Sequence, residues 1–227
     1  MRGLRTLSVV MAALSWLALG AGGEGNSCHD AAREGRYEQA VSACSRLVQT
    51  SRDSHALAMA YNSRARAHNH LGKYKKAVED ATKAIELLPQ FGLAHRNRGN
   101  AYLGLGRCGR AARDYQVSVE LMPGSADGYN NLAWVLSTCP KGEFRDGPRA
   151  IKLMTKALAL ENSSGLWDTM AAAQAEAGDF AAAVESQTKA LQMQKEKDSH
   201  VIDGMQQRLA SYLAGKPWRF TVVDWTP

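Results

Sequence analysis

Few side chains in this sequence are spaced for chemistry. Gly104, Gly106 and Gly109 in "GLGRCG" spell a Gly-x-Gly-x-x-Gly run. Such a run cradles a phosphate when a strand precedes it and a helix N-terminus faces the anion, and here a helical pattern precedes it. His68 and His70 are two residues apart, which puts them on different sides of a helix with no third metal ligand beside them. The cysteines, Cys28, Cys44, Cys108 and Cys139, include no Cys-x-x-Cys pair of the redox or zinc type. No serine elbow, carboxylate pair or Cys/His constellation stands out, so the expectation is a non-enzymatic protein with neither cofactor nor metal. What does recur is amide and guanidinium: Asn62, Arg66 and Asn69, then Arg96, Asn97 and Asn100, then Asn130 and Asn131, with Trp134 following. An amide donates and accepts at once, so a row of them can grip the backbone of an extended peptide without reading its sequence. A guanidinium takes a carboxylate in both arms, and a tryptophan serves as an aromatic anchor.

The elements that must hold these groups are helical. The chain has 227 residues, 45% hydrophobic and 22% charged, a globular composition with few aromatics and much alanine. A net charge of +6 is spread along the chain, and no Lys/Arg block marks a nucleic-acid footprint. The tract "KYKK" reads as the solvated face of a helix. At the N-terminus Arg2 and Arg5 precede an apolar run from Leu7 to Leu19 and then the small residues of "LALGAGGEG". This order is that of a secretory signal over 1–21, with cleavage after Gly20 or Ala21. The thirteen residues of this run, interrupted only by Ser8 and Ser15, rise about 20 Å as a helix, short for a membrane span. Export to the periplasm or the exterior is therefore expected, without stable membrane insertion once the signal is cleaved. The alternative is retention as a signal anchor.

A period of 34 residues organises the rest. Pro89 and Pro123 stand 34 apart and close helices whose apolar residues recur at helical spacing. A turn signal, Gly-x-aromatic-x-x-Ala, appears at Gly35, Tyr37 and Ala40, at Gly72, Tyr74 and Ala77, and at Gly178, Phe180 and Ala183. It recurs at Gly106 and Ala111 with Cys108 in the aromatic slot. Repetition of this length means stacked supersecondary modules that cannot bury their apolar faces alone. These residues resemble the tetratricopeptide repeat family. Small residues Ala65, Gly99, Ala133 and Ala171 fall where that family brings first helices together, and Ala84, Ala157 and Ala190 occupy its second-helix packing slot. The resemblance covers about 28–197. It implies an all-α, right-handed superhelical solenoid of antiparallel helix pairs with a C-terminal capping helix. Five repeats follow in the frame: 21–54, 58–91, 92–125, 126–161 and 164–197. The fourth carries extra residues in "STCPKGEFRDGP", over 137–148, like a bacterial subgroup with a lengthened turn. A capping helix over 198–215 has Val201, Ile202, Met205, Leu209, Tyr212 and Leu213 on one stripe, and the tail 216–227 either packs back or hangs loose.

The resemblance also implies where a ligand goes. First helices line the concave wall of such a superhelix, which places Asn62, Arg66, Asn69, Arg96, Asn97, Asn100, Asn130, Asn131 and Trp134 there. Arg96, Asn100 and Asn131 match three slots of the family's carboxylate clamp, but Gly165 and Thr169 stand where further basic residues belong. The clamp's chaperone partners are therefore not carried over. A polar groove that binds no defined peptide remains the alternative for the Asn/Arg set, and packing under the inserted turn the alternative for Trp134. In the same frame Cys28 and Cys44 sit in facing slots that touch. In an exported protein they are expected to form a disulfide that stabilises the first repeat by about 3 kcal/mol. Cys108 and Cys139, near the turns of adjacent repeats, are candidates for a second. Arg64 with Asp80 and Arg98 with Asp114, each 16 apart, are expected to pair across their hairpins. The function expected is a scaffold holding a protein or peptide partner on its concave face. The runner-up is a structural component of an envelope complex that uses its convex or end surfaces.

Overall fold

Alanine-rich stripes and glycine turns give helices throughout. The computed structural model describes residues 27–194 and 199–221, and the expected signal segment lies outside them. A helical segment at 27–33 (α1) is followed by α2 (Tyr37–Thr50), α3 (Ser54–His70), α4 (Tyr74–Leu87) and α5 (Gly92–Gly104). Then come α6 (Cys108–Leu121), α7 (Ala126–Thr138), a short 3-10 turn (Gly142–Phe144) and α8 (Gly147–Leu160). The order closes with α9 (Ser164–Glu176), α10 (Phe180–Met193) and α11 (Ser199–Leu213). No strand occurs among the described residues, and none of their helices is long and apolar enough to cross a membrane. The chain divides into an N-terminal body, 1–97, and a C-terminal body, 98–227.

The turns explain the repeat. Gly35, Gly72, Gly106 and Gly178 all have positive φ, between 68 and 89°. Residues with a Cβ rarely enter that region. Each glycine ends a first helix in the same way. Gly72 N donates to Asn69 O at 2.9 Å and Lys73 N to His68 O at 2.8 Å, the paired bonds that close the last turn and satisfy its carbonyls. Gly106 with Arg107, and Gly178 with Asp179, repeat the pattern. Helix starts are set by side chains: Asp53, Asp146 and Asp179 accept the backbone N–H of Ala56, Arg149 and Ala182.

In the N-terminal body α3 packs on α4 and on α2. Ala65, Ala81 and Ala84 are fully buried at these contacts. Arg64 donates twice to Asp80, at 2.9 and 2.7 Å, and once to Ser45 of α2 at 2.9 Å. The leading helices are tied on by a Cys28–Cys44 disulfide, by a 2.6 Å bond between His29 Nδ1 and Ser63 Oγ, and by Tyr37 stacked on His70 with centroids 4.2 Å apart. Burial lowers the pKa of His29, His68 and His70, outweighing for His68 the pull of Asp80.

The C-terminal body has the larger core, around Leu103, Tyr115, Leu132, Met154 and Leu166, with Phe220 of the tail 2% exposed among them. Arg98 donates to Asp114 at 2.8 Å through both Nε and Nη2. The inserted turn, which has no positive-φ glycine, is held instead by a Cys108–Cys139 disulfide and by Arg145, whose guanidinium donates to Cys139 O and to Glu176 at the end of α9. Arg219 of the tail grips the other carboxylate oxygen of Glu176 at 2.6 Å. Phe220 N donates to Thr138 O at 3.1 Å. Up to residue 221 the tail thus packs back onto the ends of α7 and α9. Helix α11 seats Met205 and Tyr212 against the body, while Val201 and Leu213 of the expected stripe point outward at 41% and 68% exposure.

Two expected outcomes follow from this packing. A Cβ on Gly147 would stand 2.6 Å from the backbone nitrogen of Ala177, which cannot step aside. Gly147→Ala should lower unfolding free energy by about 1–3 kcal/mol in a urea titration, while Gly165→Ala, with open space around it, should cost nothing measurable. The buried histidines stay neutral in the folded chain but take up protons near their ordinary 6.5 once it unfolds. The unfolded state then binds more protons, so stability is full above pH 6.5 and falls as pH drops through the lowered values. The urea midpoint should decline as pH falls below about 6.5, and less steeply in His29→Gln/His70→Phe.

Candidate functional site

In the N-terminal body an amide ladder joins α3 to α5. Asn69 Nδ2 donates to Asn97 O at 2.8 Å, and Asn97 Nδ2 donates to Asn62 Oδ1 at 2.8 Å. Asn62, Asn69 and Asn97 are 8, 1 and 5% exposed. The expectation of open amides gripping a partner therefore does not hold for these three. Ala65 and Ala94 beside them are fully buried as well, and amides enclosed in this way must find partners. They lock register instead of presenting hydrogen bonds outward.

Arg66 is the exception on the same helix. It is half-buried, and among the described residues it takes no carboxylate or other polar partner. Its charge is felt by His70 one turn on, whose pKa is lowered first by burial and then by Arg66. Arg96, also half-buried, is already engaged.

The C-terminal body holds the other expected residues. Asn100 Oδ1 accepts from Tyr115 OH at 2.8 Å and, more weakly, from Asn131 Nδ2 at 3.4 Å. Asn130 Oδ1 and Trp134 Nε1 are sealed from solvent with no partner among the described residues. Trp134 packs against the core, and the Arg208 guanidinium lies 5.6 Å from its ring centroid. The ring expected to anchor a partner thus already carries a cation from α11, a contact of the cation–π kind.

Sequence reasoning missed the polar cluster behind that contact. Arg208 Nε donates to Asp168 Oδ1 at 2.8 Å, and Gln187 Nε2 donates to the same oxygen at 2.7 Å. Tyr212 lies in the same field, with a pKa raised by burial and then by Asp168. The one regular signal, an Arg and Asp 16 apart, is absent here because the cation comes from the capping helix 40 residues away. Glu176, Arg145 and Arg219 were missed for a like reason, since two of them lie in the inserted turn and the tail.

The His68 and His70 rings are occupied by Asp80 and Tyr37. Gly104 ends a helix, and Gly109 packs beneath Phe144, so the Gly-x-Gly-x-x-Gly run is not a strand-to-helix loop. No group of three metal-ligating residues occurs among the described residues. The arrangement can offer guanidinium hydrogen bonds to an anionic group, from a surface fixed in advance.

Comparison with known proteins agrees with the helical repeat. The family model described as tetratricopeptide repeat matches residues 58–91. No curated protein matches the chain. Among solved structures, a thermophilic TPR protein of Thermus thermophilus is 19% identical, with TM-score 0.63 over 86% of this chain and 99% of that one. MamA of Desulfovibrio magneticus RS-1, from its residue 41 to the end, is 20% identical with TM-score 0.60 over 78% and 97%. A mutant O-GlcNAc transferase of Thermobaculum terrenum is 22% identical with TM-score 0.55 over 63% of this chain but 26% of that one. At these identities the likeness is one of fold. The chain thus carries a tetratricopeptide repeat at 58–91 within a helical architecture like that of the solved repeat proteins.

Proposed function

We propose that the chain is a non-enzymatic scaffold that captures an extended, acidic segment of a partner protein, with Arg66 as a principal contact. The observation that carries this reading is a half-buried guanidinium without a carboxylate among the described residues, on a helix whose neighbouring amides are all locked. Holding a cation partly out of water without a partner costs stability, and a carboxylate supplied from outside removes that cost. The rigid amide ladder keeps the surface preformed, so little side-chain order is lost on binding. Asn62, Asn69 and Asn97 are reserved for structure, and Trp134 for its contact with Arg208.

Two disulfides among the described residues are compatible with an oxidising compartment, which supports the reading of an exported protein whose leader is removed. Intact mass of protein recovered from its native host should correspond to a chain beginning near Ala21 or Gly22, and a mass that includes residues 1–20 would favour the anchored form.

The binding reading has a direct test. Random peptides selected by display on the folded protein should be enriched in Asp, Glu or a free C-terminal carboxylate. Arg66→Glu should weaken the selected peptides by about tenfold or more, as expected for loss of one charge-assisted contact, with helical circular dichroism unchanged. Undiminished affinity in Arg66→Glu would remove that residue from the site.

A further inference from the structure

We propose that the outer face formed by α6 and α8 in the C-terminal body is a docking surface for an anionic lipid bilayer. This rests on observations separate from Arg66 and would survive failure of the peptide-binding reading. The two helices lie side by side, linked by Arg149 Nη2 donating to Gln116 Oε1 at 2.6 Å. Between them they expose Arg107, Arg110, Arg113, Arg149, Lys152 and Lys156. Among the described residues none of the six pairs with a carboxylate. Some exposed cations elsewhere are paired: Lys83 meets Glu86 at 2.7 Å and Arg33 meets Asp30 at 3.0 Å.

Asp114 is buried and holds Arg98. The six cations outnumber the exposed acids on or next to these two helices, Glu120, Glu143, Asp146 and Glu161. Two of the cations are also held in place over rings, Arg110 at 5.5 Å from Tyr102 and Lys156 at 5.8 Å from Tyr129.

Two features favour a bilayer over a nucleic acid. The charges are spread across two helices without a groove to track a phosphodiester backbone, as suits a plane of headgroups. Leu160 continues the α8 stripe one turn beyond Lys156 and is 50% exposed. An apolar side chain beside basic ones can enter the boundary between headgroups and acyl chains, whereas a nucleic-acid backbone offers it nothing.

The test is vesicle sedimentation with the full chain, using phosphatidylcholine vesicles as baseline and vesicles containing about 30% phosphatidylglycerol as probe. Binding above baseline is expected on the anionic vesicles and should vanish at about 0.5 M NaCl. Each basic residue at such a surface contributes about fivefold, so Arg113→Gln/Lys152→Gln/Lys156→Gln should weaken binding by about a hundredfold. Leu160→Ser should weaken it by a few-fold more. Lys73→Gln/Lys75→Gln/Lys76→Gln removes the same charge from the N-terminal body and should change binding less than about twofold. Equal binding to both vesicle types, equal loss in the two triple variants, or tighter binding to a short DNA duplex than to the anionic vesicles would each overturn the proposal.

Discussion

When alanine or glycine stands where two helices touch, the backbones come so close that polar side chains beside the contact are enclosed. Much of this molecule follows from that constraint. Ala65 and Ala94 are fully buried, and the asparagines beside them on α3 and α5 bond across to one another. Gly99 lies directly under the Tyr115 ring, which frees the tyrosine hydroxyl to reach Asn100.

How charge is handled separates the interior from the surface. Inside, each of three cations has its own acid: Arg64 with Asp80, Arg98 with Asp114 and Arg208 with Asp168. Such buried pairs add less net stability than their geometry suggests, because both ions leave water. Their consequence is register, since a slipped helix would strand a charge. Outside, on α6 and α8, cations stand without acids, and nothing in the folding of the body requires them there.

The architecture was legible in the sequence wherever it was carried by period. Recurring glycines marked the positive-φ turns, and the Arg–Asp spacing of 16 marked two ion pairs, because hairpin geometry fixes which positions face. The candidate site was legible only in residue type. Sequence identified Asn62, Asn69 and Asn97 as a polar row but not as a sealed one, since burial depends on how near the next helix comes. Trp134 was seen as an aromatic on a polar stripe, yet its partner, Arg208, lies far along the chain in a helix outside the repeat frame. Interactions that repeat each module can be read from one module, while those made once, by a turn or a tail, have no pattern to reveal them.

Glu176 illustrates what such a single contact entails. Its carboxylate accepts a hydrogen bond from Arg145 of the lengthened turn and forms an ion pair with Arg219 of the tail, so one acidic group closes two segments that are distant in the chain. During synthesis the first arginine emerges long before the second. The turn must therefore exist for a time with only half of its final neighbourhood, and the ends of α7 and α9 stay uncovered until Phe220 arrives. A nascent chain halted between the end of the fourth repeat and that ring would carry every residue of the repeat and still leave its floor open to water, so damage far downstream is felt in the middle of the fold.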